Sequence, residues 1–237
     1  MSGHSKWANI KHKKAAQDTK RSNLFQKFAK EILVAIKQGG NDPTKNARLR
    51  LAIEKAKAKN MPNDNIKKLL SKNEKDGKNF TEVTYEGYGP NGVAFLVECL
   101  TDNLNRTSAF VKAVFNKLGG NLGTTGSVSY LFDVKGQIVL DQEKYNPDQV
   151  FAKLLDLDII DFLNEDNVIV IEVSPANLIK TKESLEKAKI TEFLSSEVLK
   201  IPKSYINLSE KNLEKVEKLI DILEDNDDVQ NVYTNLG

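Results

Sequence analysis

Cysteine is almost missing from this chain of 237 residues: Cys99 is the only one. A lone cysteine excludes an internal disulfide and any zinc site built on cysteine pairs. It lies in the apolar run 93–100, so it reads as a small buried hydrophobe rather than a reactive thiol. Histidine is nearly as scarce, with only His4 and His12. Long apolar runs are also lacking. The run 93–100 is interrupted by Glu98 and is strand-sized, far short of the roughly 18 apolar residues of a membrane span. No membrane partner is expected. The basic N-terminus lacks the sustained apolar face of an import helix, so a cytoplasmic location is expected.

What the first third lacks is acid. Residues 1–75 carry 19 Lys and Arg against 6 Asp and Glu, a net of +13. The remaining residues carry 16 basic and 27 acidic side chains, a net of −11. A formal charge of +2 for the whole chain hides this division. One end of the molecule should attract phosphate and the other repel it. A solvated helical face accounts for most charge runs, but not for so few acids over 75 residues. Apolar residues at 40% and charged residues at 29% are otherwise ordinary for a globular protein.

Periodicity divides the chain. Residues 1–15 have no usable apolar period and read as a flexible basic arm. Leu24, Phe25, Phe28, Ala29, Ile32, Leu33 and Ile36 then mark the buried stripe of a helix, which Gly39-Gly40 ends. Asp42-Pro43 reads as the cap and first residue of a second helix, 43–59, with Leu49, Ala52, Ile53 and Ala56 inward. Pro62 opens a short third helix with Ile66, Leu69 and Leu70 inward, and 72–79 is a polar linker. Strand and helix alternate afterwards. A leading strand near 82–87 precedes strand 93–100, helix 105–118 and strand 128–133. Then come strand 137–140, helix 147–156, strands 159–163 and 168–173, helix 176–188 and strand 193–200. Strand 205–208, helix 210–223 and strand 229–233 close the chain.

The middle set is a β-α-β-β-α-β unit, the ferredoxin-like plan, and joining 93–133 to 205–233 gives that plan again. The expected class is α+β and multidomain: an N-terminal three-helix bundle plus two ferredoxin-like lobes, one inserted in the other. The expected domains are 1–77, the discontinuous 78–133 plus 205–237, and the insert 134–204.

Few residues could carry catalysis. Two histidines and a lysine can cleave RNA, but acid–base groups must be held within hydrogen-bond reach of the substrate, and an unanchored arm holds nothing. The glycine-rich run 119–127 lacks the lysine and following helix of a phosphate-binding loop. It reads as a helix cap and turn, or as backbone amides meeting a partner. The acids of 224–228 lack the alternation and glycine of a calcium loop and suit a solvated turn or a protein contact. No enzyme activity, cofactor, metal or small-molecule substrate is expected, and the chain is expected to be a monomer.

Nucleic acid is the expected partner, either double-stranded DNA or ribosomal RNA. In the arm, Lys6, Lys11, Lys13, Lys14, Lys20 and Arg21 are opposed only by Asp18 and would contact phosphate, joined by His12. Trp7 is either a core anchor or a platform for a base. In the second helix Lys45 projects outward, and Asn46, Arg48 and Arg50 are candidates for base edges. Asn103–Thr107 reads as a helix cap, and Arg106 within it is the one candidate outside the first lobe.

Several long motifs resemble the YebC/PmpR family. They are Ser2-Gly3-His4-Ser5-Lys6-Trp7-Ala8-Asn9-Ile10-Lys11-His12, continuing to Asp18; Tyr85-Glu86-Gly87-Tyr88-Gly89-Pro90; Glu98-Cys99-Leu100-Thr101-Asp102-Asn103 with Asn105-Arg106-Thr107; Gly119-Gly120-Asn121-Leu122-Gly123; and Leu223-Glu224-Asp225 with Asp227-Asp228-Val229-Gln230 and Val232-Tyr233. The insert matches least. The resemblance implies three lobes, one helical and two α+β. It also implies a regulator of gene expression. Bacterial members are usually described as DNA-binding transcriptional regulators. Mitochondrial relatives are described as translational activators, and some bacterial members as ribosome-associated factors that relieve stalled synthesis. It carries over no active-site residue.

Overall fold

The structure, a computed structural model, describes residues 21–71 and 79–237, without the side chains of Arg21 and Ser22. Three helices come first: α1 (Arg21–Gly39), α2 (Ala47–Ala58) and α3 (Asn63–Leu70). Phe28, Ile32, Ala35 and Ile36 of α1 pack with Leu49, Ala52, Ile53 and Ala56 of α2 and Ile66 and Leu69 of α3 in one apolar core. Gly40 ends α1 at φ +83°, and its N–H donates to the Ile36 carbonyl at 2.7 Å. A glycine fits that left-handed position without steric cost.

The second helix starts later than Asp42-Pro43 implies. The Asp42 carboxylate accepts from the Thr44 N–H at 2.9 Å and its hydroxyl at 2.7 Å, which closes a local turn rather than a helix. Asn46 caps α2 instead, its Oδ1 accepting from the Leu49 N–H at 3.0 Å.

From Thr81 the chain runs β1 (Thr81–Tyr88), β2 (Ala94–Thr101), α4 (Leu104–Lys117), β3 (Asn121–Leu122), β4 (Phe132–Asp141), α5 (Pro147–Ala152), β5 (Ile159–Glu165), β6 (Val168–Val173), α6 (Leu178–Lys187), β7 (Ser195–Pro202), α7 (Glu210–Glu224) and β8 (Val229–Thr234). The class is α+β: N-terminal helices followed by two antiparallel four-stranded sheets. Phe132–Lys203 forms one compact unit, and Ser204–Leu236 joins the preceding residues, to Leu131, in the other.

Within Phe132–Lys203 the sheet order is β5-β6-β4-β7, which is the ferredoxin-like order for a β-α-β-β-α-β chain. β6 is buried along its whole length, as a central strand with both faces covered requires.

The other sheet, β3-β1-β2-β8, has the same spatial order reached by a different route. The leading strand β1 lies antiparallel between β2 and β3, in the position expected for 205–208. That slot being full, 205–208 joins no sheet, and Ile206 makes only an isolated bridge to Leu236. The expected strand 128–133 also gives way. The N–H groups of Val128 and Ser129 turn onto the Glu86 carboxylate, so ladder pairing starts only at Phe132, in one long β4. One face of this sheet packs Phe95, Val97 and Cys99 against Val111 and Phe115 of α4 and Val216, Leu219 and Leu223 of α7. The Phe95 and Phe115 rings meet edge to face at 5.5 Å, a geometry worth about 1 kcal/mol beyond area burial.

Candidate nucleic-acid interface

The cations of the first lobe are of two kinds. One kind faces the protein's own acids. At the C-terminus of α7, Lys27 Nζ donates to the Glu224 carbonyl at 2.5 Å and Lys30 Nζ to the Asp227 carbonyl at 2.8 Å. Unpaired carbonyls at a helix end attract cations, so the acidic turn of 224–228 is a contact within this unit. Burial pulls the Lys27 ammonium below its usual pKa, against the opposing pull of Glu224, Asp227 and Asp225.

Asp228 is the centre of this contact. Its buried carboxylate accepts from Lys30 at 2.8 Å, Arg106 at 2.6 Å, and the hydroxyls of Thr107 at 2.9 Å and Thr101 at 3.2 Å. Burial alone would push this carboxyl up. The bonds from Lys30, Arg106 and Thr107 outweigh it and bring the pKa to about 2.

Arg106 therefore has a structural partner. It sits in the first turn of α4, capped by Asn103, whose Oδ1 accepts the Arg106 N–H at 3.1 Å. Its guanidinium bonds Asp102 at 2.9 Å as well as Asp228, yet 54% of the side chain stays exposed. The bonds to Asp228 and then Asp102 raise its pKa further.

The base-reading candidates of α2 are likewise engaged. Asn46 is buried. Its Nδ2 donates to the carbonyls of Ala35 at 2.7 Å and Gly40 at 2.8 Å, while its Oδ1 caps the helix. No group remains for a base edge, which corrects the expectation for Asn46. Arg48 bonds the Gln38 side chain at 2.6 Å and pairs with Glu82, and Arg50 is half-buried.

The other kind of cation faces outward. Lys45 is exposed, and among the described residues its one ion-pair partner is Asp42 at 3.9 Å. Lys57, Lys67 and Lys68 are exposed and form no ion pair among the described residues. Lys6, Trp7, Lys11, His12, Lys13, Lys14 and Lys20 lie outside the described residues, as does the side chain of Arg21.

Sequence reasoning missed Glu86. It is buried in β1, and its carboxylate accepts N–H bonds from Gly126 at 2.8 Å, Val128 at 2.9 Å and Ser129 at 2.9 Å. Burial pushes this carboxyl up, but the three backbone donors hold it below its usual pKa. The amides at the end of the glycine-rich run thus meet an internal anion. The same strand explains two glycines. A Cβ on Gly87 would lie 2.5 Å from the Asn121 carbonyl oxygen, and one on Gly120 would lie 2.8 Å from that of Tyr88. The motifs 85–90 and 119–123 are two sides of one close backbone approach. The available signal was an acid directly before Gly87 in the motif 85–90, on the half of the strand that is otherwise uncharged.

Among the described residues no group of three His, Cys, Asp or Glu could hold a metal ion, and no helix is long and apolar enough to cross a membrane.

Two family models account for nearly the whole chain: the TACO1/YebC protein N-terminal domain over residues 5–76, and the TACO1/YebC second and third domain over 80–236. The chain belongs to the TACO1/YebC family. Relatives in this family include a protein of Geobacillus thermodenitrificans, 50% identical over 100% of this chain and 97% of its own length. One of Geobacter sulfurreducens is 49% identical over 99% and 95%. Both carry the name "probable transcriptional regulatory protein". The crystal structure of a conserved hypothetical protein from Aquifex aeolicus is also similar, with a TM-score of 0.82 and 40% identity over 93% of this chain and 91% of that one. The boundary between the two TACO1/YebC models falls between 76 and 80, where the charge of the sequence changes sign.

Proposed function

We propose that this TACO1/YebC protein is a non-catalytic, nucleic-acid-binding regulator of gene expression that binds through its cationic first third. The observation that carries the reading is the division of charge, +13 over residues 1–75 and −11 over the rest. Lys6, Lys11, Lys13, Lys14, Lys20, Arg21 and Lys45 contact phosphate, with His12 beside them and Trp7 stacking on a base. The outward Lys57, Lys67 and Lys68 extend that surface. Such contacts supply affinity and orientation but little sequence choice.

Duplex DNA is the first reading of the target, in line with the names of the relatives. One observation favours ribosomal RNA as the second. Asn46, Arg48 and Arg106 are engaged within the protein, which leaves few side chains for base edges and suits recognition of backbone and shape.

The test is a competition at physiological salt among the full chain, promoter-length duplex and ribosomes. A footprint confined to one sequence supports the DNA reading. Co-sedimentation with ribosomes despite excess duplex overturns it in favour of RNA. Deleting residues 1–21 should weaken binding to either. Six phosphate contacts on duplex give a log–log salt slope of about −5. A flat salt response would remove both readings.

A further inference from the structure

Two exposed tyrosines meet beside the glycine-rich run. Tyr88 ends β1 and is 38% exposed; Tyr130, just before β4, is 61% exposed. Their hydroxyls are hydrogen-bonded to each other, and that of Tyr88 also donates to the Ser127 carbonyl at 3.4 Å. Neither ring packs against another aromatic ring among the described residues. Apolar side chains exposed singly are ordinary, whereas exposed ones that sit together mark interaction surfaces.

Glu86 fixes this pair. It stands two residues before Tyr88, and its carboxylate holds the N–H groups of Val128 and Ser129, directly before Tyr130. A buried anion thus sets two surface rings in one arrangement before a partner arrives, which lowers the cost of ordering them on binding. Beside them Gly123, Thr124, Thr125 and Gly126 are exposed. The N–H groups of Thr124 and Thr125 have no acceptor among the described residues.

The surface is neutral within an acidic part of the chain. Residues 76–237 hold 27 acids over 162 positions, a density that predicts about four in the 26 residues of 87–97 and 118–132. These two segments hold none, and no lysine or arginine either. A phosphate backbone is therefore neither repelled nor held here. Exposed rings, free amide donors and absent charge suit the uncharged, planar part of a nucleic acid. Every base has a face for a ring and, except where it is paired, an edge with acceptors for such donors. A base inside a duplex has both already occupied.

We propose that Tyr88 and Tyr130 form a platform for an unpaired base of the bound nucleic acid, with the Thr124 and Thr125 amides donating to its edge. The platform rests on the function proposed above and deepens it. The cations of the first third hold phosphates, and this surface adds a preference for strands with unpaired bases.

The test compares a 20-base RNA single strand with a 20-base-pair duplex on the full chain. One stacked base is worth about tenfold in affinity. Tyr130→Leu should therefore weaken single-strand binding about tenfold and leave the duplex affinity and its salt slope unchanged. Tyr130→Phe keeps the ring and should retain most of the affinity, which separates stacking from damage to the fold. A 5-iodouracil in the single strand should photo-cross-link to Tyr88 or Tyr130. Unchanged single-strand affinity in Tyr130→Leu, an equal loss on both ligands, or cross-links only elsewhere would each overturn the platform and leave the proposed function standing. So would a benzoylphenylalanine in place of Tyr130 that attaches to a ribosomal protein rather than to RNA. A parent chain that binds neither ligand nor ribosomes would overturn the proposed function and the platform with it.

Discussion

The two sheets treat buried polar groups differently. In the sheet that holds β1, β2 and β8, Glu86 accepts three backbone N–H bonds and Asp228 four side-chain bonds. In the inserted sheet, Glu172 is fully buried against Lys135 at 2.7 Å. Gln137, opposite Glu172 in the β4–β6 ladder, is buried with neither Oε1 nor Nε2 hydrogen-bonded among the described residues. A satisfied buried network fixes one arrangement of the segments it joins, and a partly satisfied one weakens its surroundings. The two buried acids of the host sheet each tie together segments distant in the chain with three or four bonds, although Gln230 Nε2 of β8 is unbonded among the described residues; in the insert both polar atoms of Gln137 are.

Removing Asp228 tests this most severely. Asp228→Ala leaves the largely buried Lys30 without its carboxylate, and loss of one partner of a buried pair costs about 3 kcal/mol. At about 3 °C per kcal/mol for a chain of this size, calorimetry should show a Tm lower by about 9 °C. A fall under a third of that would erase the distinction between the sheets.

Acid titration probes the same residue. The bonds from Lys30, Arg106 and Thr107 hold the folded carboxyl at about 2 against an ordinary 3.8, so its ionised form favours folding by about 2 kcal/mol. That stability is fully present above the unfolded value and is lost as pH falls through the folded one. Urea unfolding should therefore weaken between about pH 5 and pH 2. Asp228→Asn should flatten that limb.

Glu86→Gln replaces an acceptor-only group with a carboxamide that turns its NH2 donor toward at least one of the backbone donors. A loss of about 2 kcal/mol is expected, with faster hydrogen exchange at Gly126, Val128 and Ser129. In the insert the sign should reverse. Gln137→Leu removes two unbonded buried atoms at similar volume and should be neutral or stabilising by about 1 kcal/mol; a destabilisation above 1 kcal/mol would show that Gln137 has a partner in solution. The smallest effect concerns Cys99. Burial pushes its thiol up to about 12, so alkylation at neutral pH should be at least about a hundredfold slower in the native protein than in urea.

Much of the architecture was legible in the sequence because it is periodic. The stripe of α1, the inward residues of α2 and α3, the cap at Asn103 and the strand order of the insert all follow local rules. The two topology errors share a cause. Whether 205–208 joins a sheet depends on whether β1 already fills the place, and that is decided some 120 residues away in the chain. The site was less legible. Asn46 and Arg106 look free in a linear reading, yet Asn46 bonds Ala35 and Gly40, and Arg106 bonds Asp228. Glu86 meets donors about 40 positions on, a link that leaves no repeat in the sequence. The charge division needed no such contacts, because it is a sum.

The first and last strands of the insert are neighbours. Phe132 lies opposite Pro202 in the β4–β7 ladder, and Lys203 pairs with Asp133 at 3.5 Å. The chain thus leaves and re-enters its host through a doorway about 5 Å wide, one strand spacing. To the host, the whole of Phe132–Lys203 is closed like the tip of a hairpin. A lobe mounted on such a clasp can be exchanged, lengthened or cut out without rethreading the rest, and sequence change can accumulate there while its host stays fixed.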